Sequence, residues 1–397
     1  CGINIFFNFL SSMGFGVYSD DKAQKNAEKA RKAGKDKKKA VGSAFYNRLA
    51  CLMGDKFMKW GATLHGSDVK TRDAYANMDI AGYNYGIWRY KRDLKKYPDR
   101  LILGSETFCK DAYAFWEIAR DNPRIIGDFV WPGIDYIGEV GEGCAEYSDY
   151  RYDDESTSMT GGCGRIDLLG KPRAEAAYTR VAFEMEKGPR IGVLPVYEKE
   201  KLAINGWTLT KAVESWSWDG CDGFEATVEV YARAAEVELR LNGESLGRRK
   251  VSRRDCRTLF KVTYRPGRLE AVSYDREGRQ IGSAALMSAG KSTVLRVQPE
   301  TPAVKPKGLA FVWLRYTDDT GIWKPQEKHC LSVQVENGEL LGLGSACPFV
   351  EGSYTVDSTR TYFGEAMAIV RASGTGDVRV IVTDDERNEE TVIPCKG

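Results

Sequence analysis

At Gly188-Pro189 the periodicity of this 397-residue chain changes. Before that point, short apolar runs alternate with segments of helical spacing. After it, apolar residues recur at every second position, and no segment of helical spacing interrupts residues 225–397. The first pattern belongs to parallel strands joined by helical crossovers, the second to antiparallel sheets packed face to face. A chain this long holds two or three domains. The expected division is 1–188, a strand–helix region, then two all-β units at 189–290 and 291–397.

Three strand–helix units are legible in the first region. Residues 78–85 (MDIAGYNY) read as a strand, followed by Ile87, Tyr90, Leu94 and Tyr97 on one helix face, which Pro98 ends. Residues 101–108 (LILGSETF) form a short buried strand, and Ala112, Phe115, Trp116 and Ala119 then repeat at i, i+3, i+4 and i+7. Residues 124–131 (RIIGDFVW) make a third strand, with a helix expected near 172–186 after a long acidic, aromatic loop. The opening CGINI reads as the tail of a further strand. A closed barrel of such units needs eight strands, so the expectation is a partial (β/α)8 barrel. Residues 20–40, mostly Lys, Ala and Asp, read as a solvated surface excursion. A helical pattern follows around Phe45, Leu49, Leu52 and Met53.

In the second region Ala226, Val228 and Val230, then Val237, Leu239 and Leu241, alternate up to Asn242-Gly243, a strong two-residue hairpin signal. Phe260, Val262 and Tyr264 continue the pattern to Pro266-Gly267. Residues 189–290 therefore have the size and grammar of an immunoglobulin-like sandwich. The last unit has strand candidates at 294–297, 309–316, 331–335, 366–370 and 378–382, with a turn at Asn337-Gly338.

Composition narrows the function. A net charge of +2 argues against a dedicated nucleic-acid binder, and no apolar run reaches the length of a membrane span. With two histidines and ten scattered cysteines lacking any CxxC pair, a histidine-rich metal site is excluded. Dispersed thiols suggest a reduced, cytoplasmic protein. The chain opens on Cys1, so a leader is unreadable and a periplasmic or secreted location stays open. No P-loop, dinucleotide fingerprint, nucleophile elbow or HExxH motif occurs.

Glu106 is the main chemical candidate. It stands at the C-terminal end of a parallel strand, where barrels carry their chemistry. Tyr85, with Asn84 beside it, ends the preceding strand, and Trp131 ends the following one. A carboxylate, a phenol and an indole at one pocket mouth suit sugar chemistry: the carboxylate attacks an oxocarbenium-like centre, the phenol bonds to it, and the indole packs on a pyranose. In the loop after Trp131, Asp135, Glu139, Glu142 and Glu146 match no EF-hand spacing. They read as solvated carboxylates, with Asp135 or Glu139 placed to meet substrate hydroxyls.

At these residues the chain resembles glycoside hydrolase family 2, the β-galactosidase-like enzymes. MDIAGYNYGIWRY, YPDRLILGSETF and RIIGDFVWPGIDYIGE carry the likeness, and GGCGRIDLLGKPR resembles the segment closing their barrel. GFEATVEVYARAAEVELRLNGESLG resembles the immunoglobulin-like domain that follows. KGLAFVWLRYTDDTG, NGELLGLGS and TYFGEAMAIVRASG resemble the terminal sandwich. The resemblance implies a retaining exo-glycosidase acting on a β-linked galactoside or related oligosaccharide, with Glu106 as nucleophile, Tyr85 orienting it, and Trp131, Asn84 and Asp135 contacting substrate. It implies no cofactor; magnesium or sodium occurs in some relatives without a position assignable here. Relatives often form homo-oligomers. One departure is plain. The family's acid/base glutamate lies in an Asn-Glu pair on barrel strand four, and no such strand end precedes Glu106. The expectation is a C-terminal portion of a larger enzyme, inactive alone, whose 1–188 segment is poorly stable in isolation. The alternative is a non-catalytic carbohydrate- or partner-binding β-sandwich module with a vestigial half-barrel.

Overall fold

The computed structural model describes residues 2–6, 8, 28, 29, 32, 54–137, 144, 146–150, 158–197, 206–349, 353–374 and 376–396. The expectations for residues 20–40 and for Phe45, Leu49, Leu52 and Met53, and those for Glu139 and Glu142, fall outside the residues described.

Four strands, β1 (Gly2–Asn4), β2 (Ile80–Asn84), β3 (Leu101–Phe108) and β4 (Ile125–Trp131), form one parallel sheet in chain order. Helices α1 (His65–Ala76), α2 (Tyr90–Lys96), α3 (Ala112–Ala119) and α4 (Ala174–Ala182) accompany it. Residues 54–62 are also helical. The expected alternation is therefore present, and α3 begins and ends on the residues its periodicity marks. Helix and sheet share a core of Ile5, Ala81, Tyr83, Tyr90, Leu94, Ile102, Phe115 and Ile125. Within it Arg89 is fully buried yet paired, 2.8 Å from Asp68 and 2.6 Å from Asp93. Burial of a charge is tolerable only with such partners. The sheet edge is less covered: Ile126 and Phe129 on β4 are 46% and 65% exposed.

Past Gly188-Pro189 the sheets are antiparallel. Strands β5 (Arg190–Val193), β6 (Glu225–Tyr231) and β9 (Arg257–Thr263) form one sheet. Its partner contains β7 (Glu236–Leu241), β8 (Glu244–Lys250), β10 (Arg268–Tyr274) and β11 (Gln280–Met287). The alternating residues Val228, Val230, Val237, Leu239, Leu241 and Phe260 meet between them. Asn242 and Gly243 both adopt positive φ, 52° and 87°, as a two-residue turn whose twist matches its strands requires. Leu241 and Glu244 pair across it.

A second pair of sheets follows. One runs β12 (Val294–Pro299), β13 (Leu309–Thr317), β17 (Glu365–Ala372), β15 (Gly338–Gly344); the other β16 (Ser358–Arg360), β14 (Cys330–Glu336), β18 (Val378–Thr383), β19 (Asn388–Ile393). They enclose Leu295, Val312, Leu314, Leu331, Val333, Val370, Val380 and Val382. Asn337, at φ 55°, makes a turn of another kind: β14 and β15 on either side of it belong to different sheets, so it carries the chain across the sandwich.

Candidate active site

The parallel register gathers the site. Asn84 at the end of β2 lies opposite Glu106 on β3, and Phe108 lies opposite Trp131 at the end of β4. The Tyr85 backbone N–H donates to the Glu106 carbonyl at 2.7 Å. Tyr85 leaves the strand at φ 56°, a conformation costly for a bulky L-residue. This turn lays its ring 4.4 Å from that of Phe108.

Glu106 is partly buried, and loss of solvation pushes its pKa above the ordinary glutamate value; hydrogen bonds from Tyr85 and Asn84 pull it back down. Asn84 Oδ1 accepts from Ser105 Oγ at 2.7 Å, which leaves the Asn84 amide NH2 to serve Glu106.

Trp207 completes the arrangement, and nothing in the sequence pattern pointed to it. Its indole Nε1–H donates to Tyr85 Oη at 2.8 Å. An indole N–H can only donate, so the Tyr85 oxygen accepts there and its own proton is free to go to Glu106. Trp207 is buried with Phe6, Met58, Tyr85, Phe108 and Cys163. The segment that carries it is itself held: Glu175 on α4 accepts the backbone N–H of Thr210 at 2.9 Å and that of Leu209. Trp207 lies 122 residues from Tyr85 in the chain. It stands in an aperiodic connection, so only a long-range contact could identify it.

Trp131 is 40% exposed, its ring tilted against Tyr136 at 5.8 Å between centroids. It offers a face beside the strand ends. Asp135 does not. Its side chain is fully buried, accepts from Thr160 Oγ1 at 3.2 Å, and lies 3.7 Å from Arg173. The Asp135 carboxylate, expected to meet a substrate hydroxyl, faces Thr160 and Arg173 in this structure. Glu146 was expected in solvent and is also completely buried. It receives Lys211 Nζ at 3.0 Å and Tyr362 Oη at 2.6 Å. A further carboxyl on these strands, Asp128, is pushed up to about 7 by burial. It accepts from Thr107 Oγ1 at 2.8 Å and packs over Gly104 near the buried Tyr90 hydroxyl, on the helix side of the sheet. Side-chain alternation sends Glu106 to the face opposite its neighbour Thr107.

The strand-end carboxylate with its phenol and indole lies on a parallel sheet followed by two pairs of antiparallel sheets, and known proteins share this arrangement of parts. A family model described as glycoside hydrolase family 2 C-terminal domain 5 matches residues 294–393, and one described as a domain of unknown function matches 223–282. The chain is similar to a solved glycosyl hydrolase family 2 member from Bacteroides cellulosilyticus. The identity is 27% and the TM-score 0.73, covering 88% of this chain and 47% of that one. It is 23% identical over 261 residues to a β-galactosidase of Bacteroides ovatus, covering 65% of this chain and 27% of the relative. Over 189 residues it is 29% identical to a protein of Formosa agariphila that carries a provisional β-glucuronidase name, covering 47% of this chain and 15% of the relative. Residues 294–393 thus match a family 2 C-terminal domain, and the chain as a whole is similar to glycoside hydrolases of family 2. It spans less than half the length of each of these relatives.

Proposed function

We propose that this chain carries the nucleophile side of a retaining β-glycosidase site that acts on terminal non-reducing β-galactosides. On this reading the parallel sheet is part of a (β/α)8 barrel ending near residue 188. The units at 189–290 and 291–397 are then accessory sandwiches, the first immunoglobulin-like. The Glu106 carboxylate attacks the anomeric carbon and the bond to the aglycone oxygen breaks, leaving a covalent glycosyl ester. Water then attacks the same carbon, releases the sugar and regenerates the carboxylate. Tyr85 and Asn84 hold Glu106 ionised and aimed. Trp131 provides a face for the pyranose, and Trp207 fixes the direction of the Tyr85 proton.

The observation that carries this reading is the chain of donors from Trp207 through Tyr85 to Glu106. It serves an ionised, oriented carboxylate and has no evident purpose at a merely structural strand end. Retaining chemistry needs a second carboxyl about 5–5.5 Å away as acid/base, and we assign none to this chain. Turnover of poor leaving groups by residues 1–397 alone is therefore expected to lack the roughly 10²–10⁴-fold help of a general acid.

The test avoids that missing group. A 2-deoxy-2-fluoro-β-galactoside with a dinitrophenolate leaving group needs no protonation to depart. Incubation with the chain should add one fluorosugar to the peptide containing Glu106, read by mass spectrometry, and Glu106→Gln should abolish it. Absence of label, or label on another carboxylate, refutes the assignment.

A further inference from the structure

The outer face of the sheet β12-β13-β17-β15 is built differently from an ordinary solvated surface. Along β13 the outward positions are Leu309, Phe311, Trp313 and Arg315, while Ala310, Val312 and Leu314 fill the core. Leu309 and Phe311 are 47% and 38% exposed. Beside them on the edge strand, Arg296 and Gln298 pair with Arg315 and Trp313, and Glu300 follows in line with Phe311. Arg296, Gln298, Glu300, Trp313 and Arg315 border an open cleft of about 500 Å³, within the roughly 300–1,000 Å³ of small-molecule sites, and Phe311 and Leu309 lie beyond it along β13.

The polar groups of the cleft are fixed but not exhausted. Trp313 Nε1 donates to Glu300 Oε1 at 2.9 Å, which holds the indole and engages one of the two carboxylate oxygens. Arg315 is paired with Glu365 and leans over the Trp313 ring at 5.4 Å. Arg296 is braced by Thr317 Oγ1 at 3.3 Å and the Asp319 carbonyl at 3.0 Å. Gln298, with one amide oxygen and one amide nitrogen, stands exposed between them. Arg315 is offset by Glu365, and Arg296 by Glu300 within the same lining, so the cleft offers little net charge to attract an anion. What it offers is donors and acceptors alternating around an aromatic face. A vicinal diol, whose every hydroxyl both donates and accepts, complements that arrangement, and the C–H face of a pyranose complements the indole. Outward side chains on one strand recur about every 7 Å, so Phe311 and Leu309 extend the platform beyond one sugar ring.

We propose that this face is a second carbohydrate site, separate from Glu106, that binds a neutral β-linked glycan along β13 with Trp313 as its anchor. The proposal does not depend on the hydrolase reading, because binding is measured without turnover. The full chain carrying Glu106→Gln is run in native gels cast with soluble β-1,4-galactan or β-1,4-mannan, and with polygalacturonate as an anionic control. Retarded migration is expected in a neutral gel. Trp313→Ala, and the exposed-residue variant Gln298→Ala, should weaken it by about tenfold or more and a few-fold respectively, with unchanged melting temperature for Gln298→Ala. Retardation in neither neutral gel overturns the proposal, as does retardation that both variants leave intact or retardation by polygalacturonate alone. If sedimentation instead reveals a dimer that Gln298→Ala or Trp313→Ala dissociates, and no glycan retards the chain, the face is an interface between copies and the proposal fails.

Discussion

Glu106 sits in a balance of opposed effects. Burial disfavours its charge, while the Tyr85 hydroxyl and the Asn84 amide favour it. Burial is the larger, so the carboxylate titrates above the usual glutamate range, and a nucleophile must be ionised. The rate of fluorosugar trapping should therefore fall on acidification, with a limb above the ordinary glutamate pKa. Tyr85→Phe removes a group that lowers this pKa and keeps the ring that packs on Phe108. The limb should move to higher pH. The plateau rate should fall by roughly 10–100-fold, the worth of a hydrogen bond to a charged group. A limb that stays in place would mean that Tyr85 does not touch the ionised carboxylate. Trp207→Phe is the companion case. It keeps the aromatic packing but removes the donor that settles the Tyr85 proton, so Tyr85 can spend its hydrogen elsewhere. Trapping should slow, by less than in Tyr85→Phe, with the melting temperature nearly unchanged; a full wild-type rate would strike Trp207 from the site.

At the scale of elements, legibility followed the reach of each signal. Strand β3 was readable to the residue because its apolar run, Gly-Ser break and following helix are all local. Helix α3 was readable from four residues on one face. Strand β8 is implied only by the Asn242-Gly243 turn before it, because ESLGRRK is almost wholly exposed and shows no alternation of its own, and β19 was not anticipated, because NEETVI is polar and mostly exposed until the buried Ile393. The strand ends carrying Asn84, Tyr85, Glu106 and Trp131 were legible because parallel register aligns neighbouring C-termini. The fates of Asp135 and Glu146 were not, since burial of a loop carboxylate depends on cations 38 and 65 residues away. Helix α4 reaches the site the same way. Its first-turn Glu175, fully desolvated, accepts two backbone N–H groups from the connection bearing Trp207. Glu175→Ala leaves both donors without an acceptor and should cost about 2–5 kcal/mol by chemical denaturation. Hydrogen exchange should show the Leu209 and Thr210 amides losing protection ahead of the sandwich strands. If those two amides stay protected, Glu175 is not what holds the segment.

Across the whole molecule, the parallel sheet does not stand on its own core alone. Arg233, following β6, donates to the Val181 and Ala182 carbonyls at the end of α4, each at 3.1 Å from its Nε. Lys171, just before α4, pairs with Glu365 and lies 3.6 Å from the ring centre of Trp323 in the last unit. Glu146 is the tightest of these ties. One buried carboxylate joins the loop after β4, the Lys211 connection and Tyr362 of the final sandwich. These contacts bear on the expectation that residues 1–188 are poorly stable in isolation, because cutting there strips away every one of them. Glu146→Ala tests the tie within the intact chain. It strands the Lys211 ammonium, 4% exposed, with the Gly162 carbonyl at 3.1 Å as its remaining acceptor, and it leaves Tyr362 Oη without its carboxylate. Breaking one side of a buried pair typically costs about 3–5 kcal/mol, whereas replacing both sides with matched uncharged groups is often near neutral. Glu146→Ala should therefore lower the melting temperature and separate the calorimetric transitions of the parallel sheet and the last sandwich. Glu146→Gln combined with Lys211→Met should recover most of the loss, because it removes the stranded charge and keeps an acceptor for Tyr362. If the single variant melts like the parent, or the double variant does worse than the single, the buried pair is not what couples the two ends of the chain.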